Sequence, residues 1–188
     1  VLFFDPQGRE LLSMRVEDKD MKRTVMAARM KKVLQSVEEF ALVEEQIKTN
    51  DDNSKLVFMY AKGLRDRGMF EKAEEQYYRL LNWKELSTEE QKEVKSSYID
   101  MFFFQGAAEF YGGDFTRCIA IMQRFIDKNP QNEAVPQARL LMGMAMYESG
   151  RKTEGESILK SLMNAKNAGP IPEQAKKFLE EKKGGVQR

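Results

Sequence analysis

The sequence predicts a mainly α-helical protein, built as an array of about three antiparallel helix pairs with a capping helix and a short N-terminal β-hairpin. Apolar residues recur at helical spacing over most of the 188 residues, and only residues 1–16 alternate as strands do. Three glycines, Gly68, Gly113 and Gly150, each separate two amphipathic segments. A content of 41% hydrophobic and 32% charged residues suits amphipathic helices and argues against general disorder.

Charge and hydropathy argue against nucleic acid as a partner and against a membrane span. A total of 31 Lys and Arg residues against 30 Asp and Glu residues leaves a net charge of +1. No long-range field therefore favours nucleic acid or an anionic membrane. No apolar run reaches the roughly 18 residues that span a bilayer. We expect no nucleic acid partner and no membrane span.

Catalytic chemistry is not expected either. The chain has no histidine, the commonest general base and metal ligand, and its one cysteine, Cys118, allows no CxxC pair. Cys118 takes a small inward position of a helix pair, so we interpret it as a packing residue. Neighbouring carboxylates such as Glu74 and Glu75 point to different sides of a helix. The sequence predicts a non-enzymatic chain with no catalytic residue, cofactor or metal site.

Two apolar runs at the N-terminus, residues 1–4 and 11–16, flank the sequence Asp5-Pro6-Gln7-Gly8. Proline fixes a turn torsion and glycine tolerates an unusual one, so the pattern predicts a β-hairpin. Unpaired strand edges recruit other chains. We expect the edge at residues 1–4 either to pair with a second copy in a homodimer or to lie against the helices. Because the chain begins at Val1 within an apolar run, we interpret the sequence as a fragment or a processed product.

The period changes to that of a helix over residues 21–47. One apolar stripe opposes Lys, Arg and Glu, and it carries Met26, Met30, Val33, Val37 and Ala41. Short polar residues at positions 50–54 favour turns and caps, so they end this helix.

A helix–turn–helix pattern then recurs three times. It reads YAKGLRDRGMFEKAEEQYYRLL at residues 60–81, QGAAEFYGGDFTRCIAIMQRFIDKNP at 105–130 and MGMAMYESGRKTEGESILKSLM at 142–163. Small residues let paired helices approach closely, and glycine adopts the torsion that the turn requires. Each turn glycine is flanked by a small residue in the first helix and one in the second: Ala61 and Ala73, Gly106 and Cys118, Gly143 and Gly155.

These three units resemble the tetratricopeptide repeat family over residues 54–165. The resemblance implies antiparallel helix pairs and a surface that binds other polypeptides. The family repeats about every 34 residues, whereas the turn glycines here lie 45 and 37 residues apart. The capping box Ser87-Thr88-Glu89-Glu90 accounts for the longer spacing, because it predicts that the first helix of the second unit begins early.

Pro170 and Pro172 precede a last amphipathic segment with Ala175, Phe178 and Leu179 on its apolar edge. Proline is favoured in the first turn of a helix. We therefore predict a capping helix over residues 170–183 that shields the end of the array. The stretch FIDKNPQNEAVPQARLLMGMAMYESGR is similar to a repeat subtype common in bacterial envelope assembly proteins. This similarity favours the bacterial periplasm over the cytoplasm.

The stretch VLFFDPQGRELLSMRVEDKDMKRTVMAARMKKVL, about residues 1–35, resembles the last two strands and the final helix of a thioredoxin fold. Residues 36–53 would then be a connecting helix. The resemblance implies that the catalytic half of such a fold, with its CxxC pair and cis-proline, lies upstream of Val1. No redox residue is carried over to this sequence. The alternative is a hairpin that covers one end of the helical array.

In tetratricopeptide arrays the first helix of each pair lines a concave groove. Alignment on the turn glycines places that groove at Lys55, Phe58, Met59, Lys62 and Arg65, at Phe103, Phe104, Phe110 and Tyr111, and at Leu140, Leu141, Met144 and Tyr147. This set is apolar for a surface and needs a cover. Either a helix of the protein itself, 21–47 or the closing helix with Phe178, fills the groove, or an apolar or amphipathic segment of a partner protein does.

The sequence therefore favours a non-catalytic protein- or peptide-binding scaffold of tetratricopeptide type. The alternative is the C-terminal part of a thioredoxin-like thiol–disulfide oxidoreductase whose catalytic half precedes Val1. The two hypotheses differ in whether the sequence encoded before Val1 contains a CxxC pair.

Overall fold

The computed structural model describes residues 2–4, 10–13, 23–165 and 169–184. Within these ranges the protein is mainly α-helical, as predicted, and its eight helices pack as neighbours along the chain. The elements are β1 Leu2–Phe4, β2 Glu10–Ser13, α1 Arg23–Gln46, α2 Ser54–Asp66, α3 Phe70–Leu81, α4 Thr88–Gly112, α5 Phe115–Lys128, α6 Val135–Glu148, α7 Lys152–Met163 and α8 Ile171–Gly184. The chain divides into two compact units, residues 1–97 and 98–188, with the boundary inside α4.

The two short strands pair antiparallel, with Phe3 opposite Leu12. The predicted turn at Asp5-Pro6-Gln7-Gly8 and residue Val1 lie outside the described residues. The thioredoxin-like interpretation and the homodimer edge therefore stay predictions. The expected boundary between residues 35 and 36 falls inside α1, so the final helix of that interpretation and the connecting helix are one continuous element.

The helix α1 packs on α2 through the ring of Phe40. This ring stacks on Tyr60 with the two centroids 5.7 Å apart. It occupies the space left by Gly63, where an added Cβ would overlap the ring. The guanidinium of Arg67 covers the same ring, 3.8 Å from its centroid, and donates a hydrogen bond to the carbonyl of Ser36. The missing side chain on α2 thus fixes where α1 docks.

The apolar stripe predicted along this helix is wrong at its end. Ala41 is exposed, whereas Phe40 and Val43 are buried. The physical reason is the space above Gly63, which accepts a large ring one position away from the predicted alanine. The side chains of Met26, Met30 and Val33 lie outside the described residues.

The three turn glycines adopt the left-handed backbone conformation, as predicted. Their φ angles are +70° at Gly68, +84° at Gly113 and +91° at Gly150. The turns also satisfy the last carbonyls of each first helix. For example, the amide of Asp114 donates to the carbonyl of Glu109 at 2.9 Å. Glycine is favoured here because a side chain would strain a positive φ.

Small residues hold the paired helices close together in the second unit. A Cβ added to Gly155 of α7 would lie 2.6 Å from the carbonyl oxygen of Gly143 and 2.7 Å from the amide nitrogen of Tyr147, both on α6. A Cβ added to Gly106 of α4 would lie 2.5 Å from the methyl of Met122 on α5. The predicted close approach is confirmed for α6 and α7, whose backbones meet at Gly155, whereas the space at Gly106 is filled by the Met122 side chain.

The long helix α4 begins at the predicted capping box. The amide of Ser87 donates to the carboxylate of Glu90 at 3.0 Å, and the amide of Glu90 lies 3.3 Å from the Ser87 hydroxyl. This reciprocal arrangement satisfies amides that have no partner within the helix. This early start gives α4 its 25 residues and accounts for the spacing of 45 residues between Gly68 and Gly113.

The predicted capping helix is present as α8. Ile171, Ala175, Phe178 and Leu179 face α6 and α7 and form one buried cluster with Leu140, Leu159 and Leu162. The spacing of these α8 residues is that of one helix face. The cluster removes the apolar face of the last pair from water, as a terminal element of a repeat array must.

Candidate functional site

A cleft of about 490 Å³ lies on the first unit between α1, α2 and the beginning of α4; we call it the α2 cleft. Four predicted groove residues line its α2 side: Lys55, Phe58, Met59 and Lys62. They recur at three- and four-residue steps, so they lie along one helix face. Further apolar lining comes from Phe40, Val43, Leu80, Leu86 and Val94.

The α2 face combines one fixed aromatic side chain with one exposed methionine. Phe58 is half-buried and meets the ring of Tyr77 edge to face, with centroids 6.2 Å apart. Met59 is 56% exposed. Methionine is flexible and polarizable, so it adapts to apolar groups of different shape. The cleft therefore offers a rigid anchor beside an adaptable one.

Two lysines bracket these apolar residues. The ammonium of Lys62 lies 5.3 Å from the centroid of the Phe58 ring, and Lys55 is exposed in the first turn of α2. Across the cleft, the hydrogen bond from the Ser87 amide lowers the pKa of Glu90 below its ordinary value. The Ser87 hydroxyl and the positive charge of Lys55 lower it further. Glu90 is therefore anionic at neutral pH, and its carboxylate accepts hydrogen bonds from Ser87 at the start of α4.

Arg65, the fifth residue predicted for this part of the groove, does not line the α2 cleft. Its guanidinium pairs with the carboxylate of Asp66 at 2.8 Å. Lys62, seven positions after Lys55, shares its helix face, whereas Arg65, ten positions after Lys55, is rotated by roughly 80° from it around the helix axis. The neighbouring cation that does line the cleft is Arg67.

Several lining residues were not predicted from the sequence. Among them are Phe40 and Val43 of α1, Arg67, Leu86, and Glu90, Glu93 and Val94 of α4. A signal existed for Phe40, which is the aromatic residue three positions after Val37 in an amphipathic helix. The α4 residues belong to the first helix of the next predicted repeat, and a stacked array would place this helix beside α2. Aligning whole helices, rather than single positions, would have included them.

The predicted residues of α4 lie in the second unit and divide into half-buried and exposed positions. Phe103 packs on Phe125 with centroids 5.5 Å apart, and Phe110 meets Phe115 at the same distance. Phe104 is 64% exposed and Tyr111 is 87% exposed. Phe103 and Phe110 thus stabilise the helix pair, while the other two side chains remain at the surface.

The predicted residues of α6 are largely covered by α8. Leu140 is a member of the buried cluster, and Met144 and Tyr147 pack against it. The ring of Tyr147 meets Phe178 edge to face at 5.6 Å. Leu141 is half-buried, with its Cδ2 3.3 Å from where a Cβ of Gly106 would stand. Of the occupants considered above, the closing helix therefore covers this part of the groove, and α1 forms one wall of the α2 cleft.

Cys118 lies fully buried in α5. Burial, aided by the charge of Glu109, raises the pKa of its thiol to about 11. A thiol with so high a pKa carries little thiolate at neutral pH and is a poor nucleophile. Over the described residues, no three His, Cys, Asp or Glu side chains lie together as metal ligands. In the same residues, no helix has the length and apolarity to cross a membrane.

Comparison of the chain with known proteins adds no family assignment. No protein-family model matches the sequence, and neither the curated proteins nor the solved structures contain a match. The α2 cleft is therefore judged by its own geometry and chemistry.

Proposed function

We propose that the chain is a non-catalytic scaffold of tetratricopeptide type that binds a segment of another polypeptide in the α2 cleft. Three features support the repeat assignment: helices packed as successive pairs, turn glycines with positive φ, and small residues at the helix crossings. Each feature has the mechanical role that a stacked helical array requires.

The α2 cleft is the observation that carries the proposal. Its size of about 490 Å³ suits a few side chains of a ligand. Phe58 supplies an aromatic anchor, and Met59 is exposed although it is apolar. Apolar anchors in a concave surface with charged groups at the edge are typical of peptide-binding sites. Binding of a partner segment would remove Met59 from water.

Binding, rather than catalysis, fits the chemistry of the described residues. Catalysis by a cysteine needs a lowered thiol pKa, and burial raises that of Cys118. The charged side chains that line the α2 cleft are lysine, arginine, aspartate and glutamate. Of these, Arg67 and Glu90 are held in place by hydrogen bonds within the protein, which suits groups that orient a ligand.

Peptide binding to purified protein tests the proposal. A phage-displayed library of random 16-residue peptides is selected on the chain, and the enriched peptides are labelled for fluorescence anisotropy. Met59→Asp places a charge in the α2 cleft and should weaken binding at least tenfold. Tyr78→Asp is the matched control, because Tyr78 is 64% exposed on α3 and does not line the cleft.

Both substitutions replace exposed side chains, so thermal melts of the two variants should match that of the parent. Equal loss of binding in both variants, or no enriched peptide whose binding depends on Met59, would remove the support for the cleft.

The second candidate function is that of a thioredoxin-like oxidoreductase whose C-terminal part is this chain. The order of elements favours it, because the antiparallel strands β1 and β2 precede the helix α1. The genomic sequence ahead of Val1 tests it. A CxxC pair followed by a proline close to the first strand would support this candidate, and an upstream sequence without cysteine would rule it out.

A further inference from the structure

Two lysines of one helix border the α2 cleft. Lys55 and Lys62 lie seven residues apart on one helix, which separates them by about 10.5 Å along the axis. Within the described ranges neither ammonium belongs to an ion pair, although Lys62 lies over the Phe58 ring and the charge of Lys55 lowers the pKa of Glu90. Phe58 and Met59 lie between them. The α2 face thus presents a positive charge, an apolar pair and a second positive charge.

Four carboxylates also line the α2 cleft, those of Glu39, Asp66, Glu90 and Glu93. Three of them already accept hydrogen bonds or pair with a cation of the protein. Gln35 donates to Glu39 at 2.9 Å, Arg65 pairs with Asp66 at 2.8 Å, and Ser87 donates to Glu90 at 3.0 Å. Glu93, on the α4 side, has no such partner among the described residues. Hydrogen bonds from neutral donors leave Glu39 and Glu90 anionic, so basic groups of a ligand are favoured on the side of the cleft that carries Glu39, Glu90 and Glu93. Acidic groups are favoured along α2, beside Lys55 and Lys62.

The lining of the cleft also favours one backbone conformation of the ligand. Apart from Arg67 and Leu86, the residues that line the cleft belong to helices, whose amides and carbonyls are bonded largely within each helix. An extended peptide would find no strand edge here to pair with, whereas a helix satisfies its own backbone. Two helices also share the same rise per residue. Side chains seven apart on a ligand helix therefore match Lys55 and Lys62.

We infer that the α2 cleft, if it binds a peptide as proposed above, takes an amphipathic helix of a partner protein whose apolar edge is flanked by two acidic residues seven positions apart. The two carboxylates meet Lys55 and Lys62, and the apolar side chains between them meet Phe58 and Met59. The recognised groups are side chains within a helix, so no chain terminus is needed.

Four synthetic peptides test this inference. Each has 16 residues, is acetylated and amidated, and carries the same apolar edge. The flanking positions i and i+7 hold Glu in the first peptide, Gln in the second and Lys in the third. The fourth has the Glu residues of the first but a proline in the middle of the helix, which breaks it. Binding is measured by fluorescence anisotropy in low salt.

The expected order of affinity is Glu, then Gln, then Lys, with about a tenfold difference between the first two, because two exposed ion pairs form. The difference should shrink at high salt. The proline peptide should bind at least tenfold more weakly than the first. The double variant Lys55→Glu and Lys62→Glu should reverse the order and prefer the Lys peptide. The control, Lys72→Glu with Lys84→Glu, changes the net charge equally on exposed positions outside the cleft and should keep the original order.

Two outcomes overturn the inference and separate it from the proposed function. If the Glu, Gln and Lys peptides bind equally, or the proline peptide binds as well as the first, while Met59→Asp removes all binding, the cleft binds peptides but not by this chemistry. If none of these peptides and no library peptide binds in a manner that depends on Met59, the inference and the proposed function both fail.

Discussion

Two helices, α2 and α6, occupy equivalent positions in the predicted repeats, but their apolar faces are covered to different extents. On α6, in the second unit, Leu140, Met144 and Tyr147 are packed under the amphipathic helix α8. On α2, in the first unit, Phe58 and Met59 line a cleft of about 490 Å³. The last pair of an array has no following pair to cover it, so the chain supplies a capping helix. The face of α2 instead carries lysines and stays accessible.

An apolar residue at a predicted groove position can either stabilise the fold or line an open cleft. The same alignment on a turn glycine selects Leu140 and Phe58, and yet one stabilises the fold and the other borders an open cleft. Burial by the protein's own chain, rather than residue type, separates the two. Substitutions at these packing contacts test how much each of them stabilises the fold.

The largest loss of stability is expected from Phe178→Ala, which removes the α8 ring that packs on α6. Phe178 is 8% exposed and contacts Tyr147. Loss of a buried phenylalanine side chain costs about 3 kcal/mol of unfolding free energy. Urea unfolding followed by circular dichroism measures this value. Tyr111→Ala, at a position 87% exposed, should change stability by less than about 0.5 kcal/mol. Similar losses in both variants would mean that α8 does not stabilise the second unit.

A smaller loss is expected from Gly155→Ala, which separates α6 from α7. The added Cβ would stand 2.6 Å from the Gly143 carbonyl oxygen, so the backbones must move apart. Overpacking of this kind costs about 2 kcal/mol. Ser157→Ala, at an exposed position of the same helix, is the matched control. Denaturant midpoints measure the difference, and a neutral Gly155→Ala would contradict the close approach.

The sequence predicted those features of the fold that depend on a few adjacent residues. The turns at Gly68, Gly113 and Gly150 and the cap at Ser87 follow from local torsions and hydrogen bonds, and all four were predicted correctly. The docking of α1 depends on the space above Gly63, which is a distant position in the sequence. Periodicity alone therefore placed Ala41, rather than Phe40, on the buried face.

The candidate site was predicted only in part for the same reason. Positions on a single helix, such as Lys55 and Met59, follow from the spacing within the repeat. Whether such a position is covered depends on where α8 and the start of α4 come to lie, and these contacts join residues far apart in the sequence. A single alignment cannot distinguish Leu140 under its cap from Phe58 in the cleft.

A still smaller loss of stability is expected from Gly113→Ala. This substitution tests the glycine turn, which occurs in the first unit at Gly68 and in the second at Gly113 and Gly150. Gly113 has a φ of +84° and an added Cβ would meet nothing within 4 Å, so the cost is that of the backbone conformation alone. It should be about 1 kcal/mol. Gly112→Ala also adds a methyl group to open space, but without a positive φ, and should be close to neutral. Equal costs in the two variants would exclude backbone strain as the cause.

The smallest effect is expected from Glu90→Gln at the border of the α2 cleft. The pKa of Glu90 is lowered in the folded protein, mainly by the Ser87 amide. Its ionised form therefore stabilises the fold above the unfolded pKa, and this contribution is lost as the pH falls through the folded pKa. Wild-type protein should lose slightly more stability than Glu90→Gln between neutral pH and about pH 3. Thermal melts across this range measure the loss.

Glu89→Gln is the control for that pH dependence, since it removes the same charge from the same turn without touching the hydrogen bonds to Ser87. A pH profile of Glu89→Gln that departs from wild type as much as that of Glu90→Gln would attribute the effect to net charge rather than to the cap.

Chemical-shift mapping of a bound peptide tests the central claim most directly. Amide spectra of isotope-labelled protein are recorded while the tightest acidic amphipathic peptide is added. The account predicts that the perturbed amides lie on the lining of the α2 cleft, around Lys55, Met59 and Lys62 and at the start of α4, with α6 and α8 unchanged. Perturbations centred on Leu140, Tyr147 and Phe178, with none on α2, would contradict it.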